Sequence, residues 1–151
     1  MRVFLTAVAV GLTMVSSAHA EDIAPRIYGA VGDPQEVSLN VGVAASVWSA
    51  GGGNWVTRGT HMLFTTEYGV AASKLKLGLE STVSSIALSG GARAQLGVMN
   101  VYGKDGKDYN NEDFYGLEMG ADAFIGIRGG IWKSMESDEE LVTLSFLVRF
   151  M

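Results

Sequence analysis

Apolar and polar side chains alternate along most of the chain after Val37. Odd positions from Val37 to Val47 are Val, Leu or Ala, and the even positions between them are Ser, Asn, Gly or Ala. A period of two indicates a β-strand, because successive side chains of a strand point to opposite faces of a sheet. The alternation recurs over 61–70, 74–80, 86–98 and 142–150. This pattern predicts an all-β fold.

Turn-forming residues divide these segments from one another. Gly32-Asp33-Pro34, the glycine-rich stretch 49–54, Asp105-Gly106 and the acidic stretch 134–140 are typical of turns and connections. Weaker turn signals lie near 69–73, 81–85 and 120–122. The sequence between them predicts eight strands, at about 23–31, 37–48, 55–68, 73–81, 85–102, 113–120, 123–133 and 141–150. Eight antiparallel strands joined in chain order predict an up-and-down β-barrel with both chain ends on one side.

The two faces of the predicted strands differ in composition. One face is apolar and carries no charge in any strand centre, whereas the other consists mainly of Gly, Ala and Ser. A soluble barrel is apolar inside and polar outside, and a membrane-spanning barrel is the reverse. Small residues fit the narrow interior of eight strands, so the pattern favours the membrane-spanning arrangement. A soluble periplasmic barrel that binds an apolar ligand and a narrow ion-conducting pore remain as alternatives.

Single charges punctuate the small-residue face, and we expect them to line the lumen. They are Glu67, Lys76, Glu80, Arg93, Glu118, Arg128 and Arg149. Four are basic and three are acidic, and buried charges persist only when they are paired. The sequence therefore predicts salt bridges that fill the lumen of an eight-stranded barrel.

Six aromatic residues fall near the predicted strand ends. They are Trp48, Trp55, Tyr102, Phe114, Tyr115 and Trp132. Membrane barrels carry girdles of aromatic side chains at both interfaces, so we expect these six to face outward.

The N-terminus has the three-part layout of a secretory signal peptide. Arg2 supplies a positive charge, Val3–Val15 is almost unbroken apolar sequence, and Ala18-His19-Ala20 matches a small-x-small cleavage site. We expect residues 1–20 to be removed, which leaves residues 21–151 as one β-barrel domain. The apolar segment is too short to span a bilayer, and no later stretch approaches the ~20 apolar residues of a transmembrane helix.

Charge and cysteine content exclude several classes of function. The chain carries 16 acidic and 11 basic residues, a formal net charge of −5, and it has no basic patch. This balance argues against nucleic acid as a partner. Because the chain contains no cysteine, it has neither disulfides nor a thiolate nucleophile, and it cannot form a Cys/His zinc site.

The last predicted strand ends on an aromatic residue and alternates before it. Phe146, Val148 and Phe150 share its apolar face. This strand resembles the C-terminal strand of bacterial outer-membrane β-barrels, and the chain is similar to the small, eight-stranded type represented by the outer-membrane protein A transmembrane domain. The resemblance implies a porin-like barrel in the outer membrane of a Gram-negative bacterium, surrounded by lipid and lipopolysaccharide. It also implies recognition of the closing strand by the barrel-assembly machinery, and a structural or surface-interaction role for external loops 103–112 and 134–140.

No catalytic or cofactor-binding set emerges from the sequence. Small outer-membrane barrels that act on lipids place a Ser near a His, but here Met62-Leu63 follow His61. The nearest acidic residue on the same strand, Glu67, lies about 20 Å from His61, which is beyond hydrogen-bond reach. Four acidic residues could suggest calcium binding, yet they lack the spacing of a calcium loop: Asp105, Asp108, Glu112 and Asp113. We expect a solvated loop at that position, and neither a metal nor a cofactor.

Overall fold

Eight β-strands form the structure, a computed structural model that describes residues 23–52, 56–85, 89–102 and 111–150. In chain order the strands are β1 (Ile23–Asp33), β2 (Glu36–Gly52), β3 (Val56–Gly69), β4 (Ala72–Ser85), β5 (Ser89–Val101), β6 (Asp113–Asp122), β7 (Ile125–Ser134) and β8 (Glu140–Arg149). The predicted all-β fold and the predicted number of strands are confirmed.

The strands form one antiparallel sheet that closes on itself. Each strand pairs with its neighbours in the chain, and β8 returns to pair with β1 from Tyr28↔Arg149 to Asp33↔Leu144. When cross-strand partners are followed from strand to strand around the ring, the path starts at Ile23 on β1 and returns to β1 at Asp33, ten residues further along. A stagger of this size over eight strands tilts them by roughly 40° from the axis of the ring.

The connections sort onto two ends of the ring. The terminal end carries the start of β1, the end of β8 and the turn 123–124, and the loop end carries the turns 34–35 and 70–71 and the longer connections 102–112 and 135–139. At the terminal end β2, β3 and β4 extend beyond β1, since Gly52 pairs with Val56 and Val56 pairs with Ser85. We call the extended parts of β2, β3 and β4 the lip, and the start of β5 pairs with it at Ser84↔Ser89.

Four strands run at least two residues further than the sequence predicts. β1 continues to Asp33, β2 to Gly52, β4 to Ser85 and β6 to Asp122, so the predicted turn at 81–85 is wrong and the one at 120–122 lies two residues later. The stretch 81–85 is rich in Ser and Thr, which is the composition of a turn. In the structure, however, Thr82 bonds across the sheet to His61 at 3.1 Å, and Ser84 bonds to Ser89 at 2.8 Å. Cross-strand hydroxyl pairs of this kind stabilise a sheet.

The alternation gives the ring two contrasting faces. Large apolar side chains are exposed on the outside of every strand, among them Val142 at 73%, Ile125 at 72% and Leu96 at 67%. The buried positions that alternate with them hold most of the chain's described charged strand residues. A β-bulge between Ser46 and Trp48 shifts the register where β2 enters the lip. The part of the chain that the structure describes contains no helix long and apolar enough to cross a membrane.

Candidate functional site

The lumen of the ring brings together the seven charged residues that the sequence singles out. Glu67, Lys76, Glu80, Arg93, Glu118 and Arg128 are buried there, and the Arg149 side chain is 12% exposed. Arg26, Lys74 and Asp122 lie among them. These ten side chains form two clusters at different depths along the lumen.

The first cluster, which we call the central cluster, consists of Glu67, Lys74, Lys76, Glu118 and Arg128. Lys76 lies between the two carboxylates, with its Nζ 3.0 Å from Glu67 Oε2 and 2.5 Å from Glu118 Oε1. Lys74 Nζ is 2.8 Å from Glu118 Oε2. Arg128 pairs with Glu67 and reaches Glu118 Oε1 at 3.4 Å. Every cation of the cluster therefore touches a carboxylate.

Strand geometry places these side chains together. Lys74 and Lys76 are two residues apart on β4 and therefore share its inner face. Glu67 on β3 is the direct cross-strand partner of Lys74. Its carboxylate also accepts hydrogen bonds from Ser38 Oγ at 2.5 Å and Asn40 Nδ2 at 3.5 Å. Glu67 thus accepts bonds from four side chains, which is the condition for keeping a carboxylate charged away from water.

The second cluster, which we call the terminal cluster, lies nearer the terminal end and consists of Arg26, Glu80, Arg93, Asp122 and Arg149. Arg26 Nε is 2.7 Å from Glu80 Oε2, Arg93 pairs with Asp122, and Arg149 Nη1 is 3.2 Å from Asp122 Oδ1. Tyr28 contacts both the Glu80 carboxylate and the two arginines that pair with Asp122. Its hydroxyl donates to Glu80 Oε1 at 3.1 Å, and the guanidinium carbons of Arg93 and Arg149 lie 4.1 and 5.8 Å from its ring centroid.

An apolar cap fills the lumen at the loop end. It is formed by Ala72, Met99, Val101, Phe114 and Trp132, none more than 1% exposed, with Leu141 packed against them. Two glycines leave room for the indole, because a Cβ on Gly116 would lie 2.8 Å from Trp132 Cε3 and one on Gly130 would lie 2.6 Å from its Nε1. The indole N–H donates to Thr143 Oγ1 at 3.1 Å, and the Lys74 ammonium lies 4.8 Å from the ring centroid. The cap therefore contacts the central cluster directly.

His61 lies on the inner face of β3 where the lip begins. Its Nε2 is 3.1 Å from Thr82 Oγ1, and the described residues provide no partner for its Nδ1. A nucleophile–base pair needs a third group that orients the base, and none contacts His61 among these residues. No group of three or more His, Cys, Asp or Glu side chains in the described ranges is arranged to hold a metal ion.

The outer face carries the predicted assembly residues and only part of the predicted aromatic girdle. Phe146 and Val148 are exposed on β8, and Phe150 is exposed directly after its end. Trp48, Tyr102 and Tyr115 are also exposed. The girdle prediction is wrong for Phe114 and Trp132, which are fully buried in the cap. Each lies four residues from an inward charge, Glu118 or Arg128, and so has the same orientation on its strand. Trp55 lies outside the described residues.

Two of the four acidic loop residues are described. Glu112 Oε2 accepts hydrogen bonds from Ser134 Oγ at 2.7 Å and Ser137 Oγ at 3.1 Å, which joins the two long connections of the loop end. Asp113 Oδ1 accepts a bond from Asn100 Nδ2 at 2.8 Å. Asp105 and Asp108 lie outside the described residues.

Three of the lumen charges are not predicted from the sequence, although the spacing of two of them would have placed them on the inner face. Lys74 precedes Lys76 by two residues, and Asp122 follows Glu118 by four, so each shares a strand face with a predicted lumen charge. Asp122 is not predicted, because it falls in the predicted turn 120–122 rather than in a strand. Arg26 lies in the stretch Ile23–Ala30, where apolar residues do not alternate and neither face is distinguished.

Comparison of the chain with protein-family models, curated proteins and solved structures finds no match. The features that bear on function are therefore the lumen and the outer face. The lumen is a packed ionic interior closed by an apolar cap, and the outer face is apolar on all eight strands.

Proposed function

We propose that this chain is a small outer-membrane β-barrel with a structural or surface-interaction role and no catalytic role. The observation that carries the proposal is the inversion of the two faces. A soluble barrel hides its apolar side chains, whereas here they lie outside and the charges lie inside. Lipid is the solvent in which such an exterior is favourable.

The dimensions of the ring agree with this proposal. The shortest strands, β6, β7 and β8, have ten residues each. Tilted strands of 9–11 residues cross the hydrocarbon core of a bilayer. At a rise of about 3.4 Å per residue and a tilt of roughly 40°, ten residues cover roughly 25 Å, the height of the apolar band on membrane barrels.

The filled lumen supports a structural role over the two alternatives. Binding of an apolar ligand would need an apolar cavity inside the ring, but the described interior holds ten charged side chains and a packed cap. An open pore would need a continuous aqueous path, which Lys76 and Trp132 interrupt at two depths. Paired charges in a low-dielectric interior hold strands together from opposite sides of the ring.

The loop end is the side that we propose to face the outside of the cell. It carries the two longer connections, and the 135–139 connection holds Glu136, Asp138 and Glu139. The short turns at the terminal end would face the periplasm, as in outer-membrane barrels generally. In this orientation outer-membrane lipid and lipopolysaccharide surround the apolar face. Phe146, Val148 and Phe150 would then serve the barrel-assembly machinery, and any external partner would bind the loops.

Membrane fractionation of expressing cells tests the proposal. We expect the protein to stay in the membrane pellet through washes with sodium carbonate at high pH, and to be extracted only by detergent. A soluble periplasmic protein followed in the same lysate provides the control. Recovery of the folded protein from the detergent-free soluble fraction would refute the membrane location.

A further inference from the structure

We propose that the terminal cluster binds a small inorganic anion, with chloride as the probe. The inference goes beyond the proposed function and depends only on the closed ring. It therefore applies whether lipid or water surrounds the barrel.

The charges of the terminal cluster do not balance. It contains three guanidinium groups, those of Arg26, Arg93 and Arg149, but only two carboxylates, those of Glu80 and Asp122. The remaining polar group, the Tyr28 hydroxyl, is neutral and already donates to Glu80. One positive charge in this layer of the lumen therefore has no negative counterpart among the described residues.

A second observation concerns the hydrogen bonding of Arg93. Its side chain is 4% exposed and uses Nη2 to pair with Asp122, while its Nε is buried without a hydrogen-bond partner. Arginine is always charged and offers five N–H donors, so it cannot relieve the imbalance by losing a proton. A buried cation of this kind requires a counter-charge, and an anion from solution supplies one.

The terminal cluster is also the more accessible of the two clusters. The central cluster has the same excess of one cation and its Arg128 Nε is also buried without a hydrogen-bond partner, but the apolar cap covers it on the loop side. The Arg149 and Arg26 side chains are 12% and 9% exposed, and Arg149 is the last residue of β8. This partial exposure favours the terminal cluster over the central one for an ion that comes from solution.

The chemistry favours a monovalent ion of small radius. A single surplus charge matches one chloride, and the burial of Arg93 against the Tyr28 ring favours a small halide over a bulky phosphate ester. Guanidinium N–H groups are suitable donors for such an ion, because they are more weakly hydrated than an ammonium group.

Thermal unfolding of the purified protein in a chloride series tests the proposal. Sodium gluconate is exchanged for sodium chloride at constant ionic strength, and the midpoint is followed by circular dichroism. We expect the unfolding midpoint to rise with chloride concentration and to be about 3–5 °C higher once chloride exceeds its Kd tenfold. Arg149→Gln and Arg93→Gln each remove the surplus charge and should abolish the rise. Lys133→Gln removes a charge from the outer face and should keep it.

The outcomes separate the anion site from its alternatives. No chloride dependence in the wild-type protein overturns the proposal, and so does a rise that persists in both arginine variants. The chain also carries Glu21 and Asp22 just before β1. If only Glu21→Gln with Asp22→Asn acquires a chloride dependence, the counter-charge is the chain's own and the proposal is wrong. Because the readout concerns the lumen, none of these results bears on where the barrel resides.

Discussion

Each carboxylate of the central cluster binds more than one cation, so a change at a single residue breaks several pairs at once. Glu67 accepts bonds from Lys76 and Arg128 as well as from Ser38 and Asn40, and it is completely buried. Lys76 and Arg128 also contact Glu118, and the desolvation cost of these two cations is offset most completely while both carboxylates are charged. Glu67 and Glu118 together therefore hold the three cations of the central cluster.

Glu67→Gln should lower the free energy of unfolding by about 3–5 kcal/mol, because it keeps the shape of the side chain and leaves two buried cations short of a partner. Urea unfolding of the detergent-solubilised protein measures the change. Glu140→Gln makes the same chemical substitution at an exposed position on β8 and should cost about 0.5 kcal/mol or less. Equal stability of the two variants would contradict the view that buried ion pairs hold the ring.

At the scale of the elements, the cap couples the loop-end portions of five strands. Ala72 begins β4, Val101 ends β5, and Phe114, Trp132 and Leu141 lie within two residues of an end of β6, β7 and β8. No pair of neighbouring strands could bury Trp132 alone. The indole therefore stabilises the closed arrangement of this half of the ring rather than one hairpin.

Trp132→Ala should cost about 3–5 kcal/mol, since it removes the largest buried side chain of the cap and leaves a cavity. Trp48→Ala is the matched control, because Trp48 is 56% exposed on the outer face of the lip. We expect its cost to be about 1 kcal/mol or less. Unfolding midpoints of the two variants in the same detergent give the comparison. A cost for Trp48→Ala as large as that for Trp132→Ala would show that the cap is not a shared core.

The strands also show which features can be predicted from the sequence pattern and which cannot. β2 and β8 alternate cleanly, and there the predicted faces agree with the exposure of Val37, Leu39, Val142 and Leu144. The limits of β4 could not be predicted in this way, because Ser and Thr suit both a turn and a sheet that pairs hydroxyls. The contacts within the clusters depend on the stagger around the ring, and no single strand encodes that stagger.

At the scale of the whole molecule, the ring closes on itself and presents an apolar surface in every direction around its axis. Such a surface is far larger than the isolated apolar patches of soluble monomers. The inner charges cannot compensate for it, since the sheet separates them from the surroundings. Removal of lipid or detergent should therefore lead to aggregation of the folded barrel.

The central claim is that the outer face meets lipid, and spin labelling tests it most directly because the chain contains no cysteine. Leu144→Cys places a label near the middle of β8 at an outward position that is 61% exposed, and Met135→Cys places one in the connection at the loop end. In protein reconstituted into lipid vesicles, the label at 144 should be relaxed by oxygen and shielded from a water-soluble nickel chelate. The label at 135 should show the reverse. If the nickel chelate reached both labels equally, the outer face would lie in water and the proposed membrane barrel would be wrong.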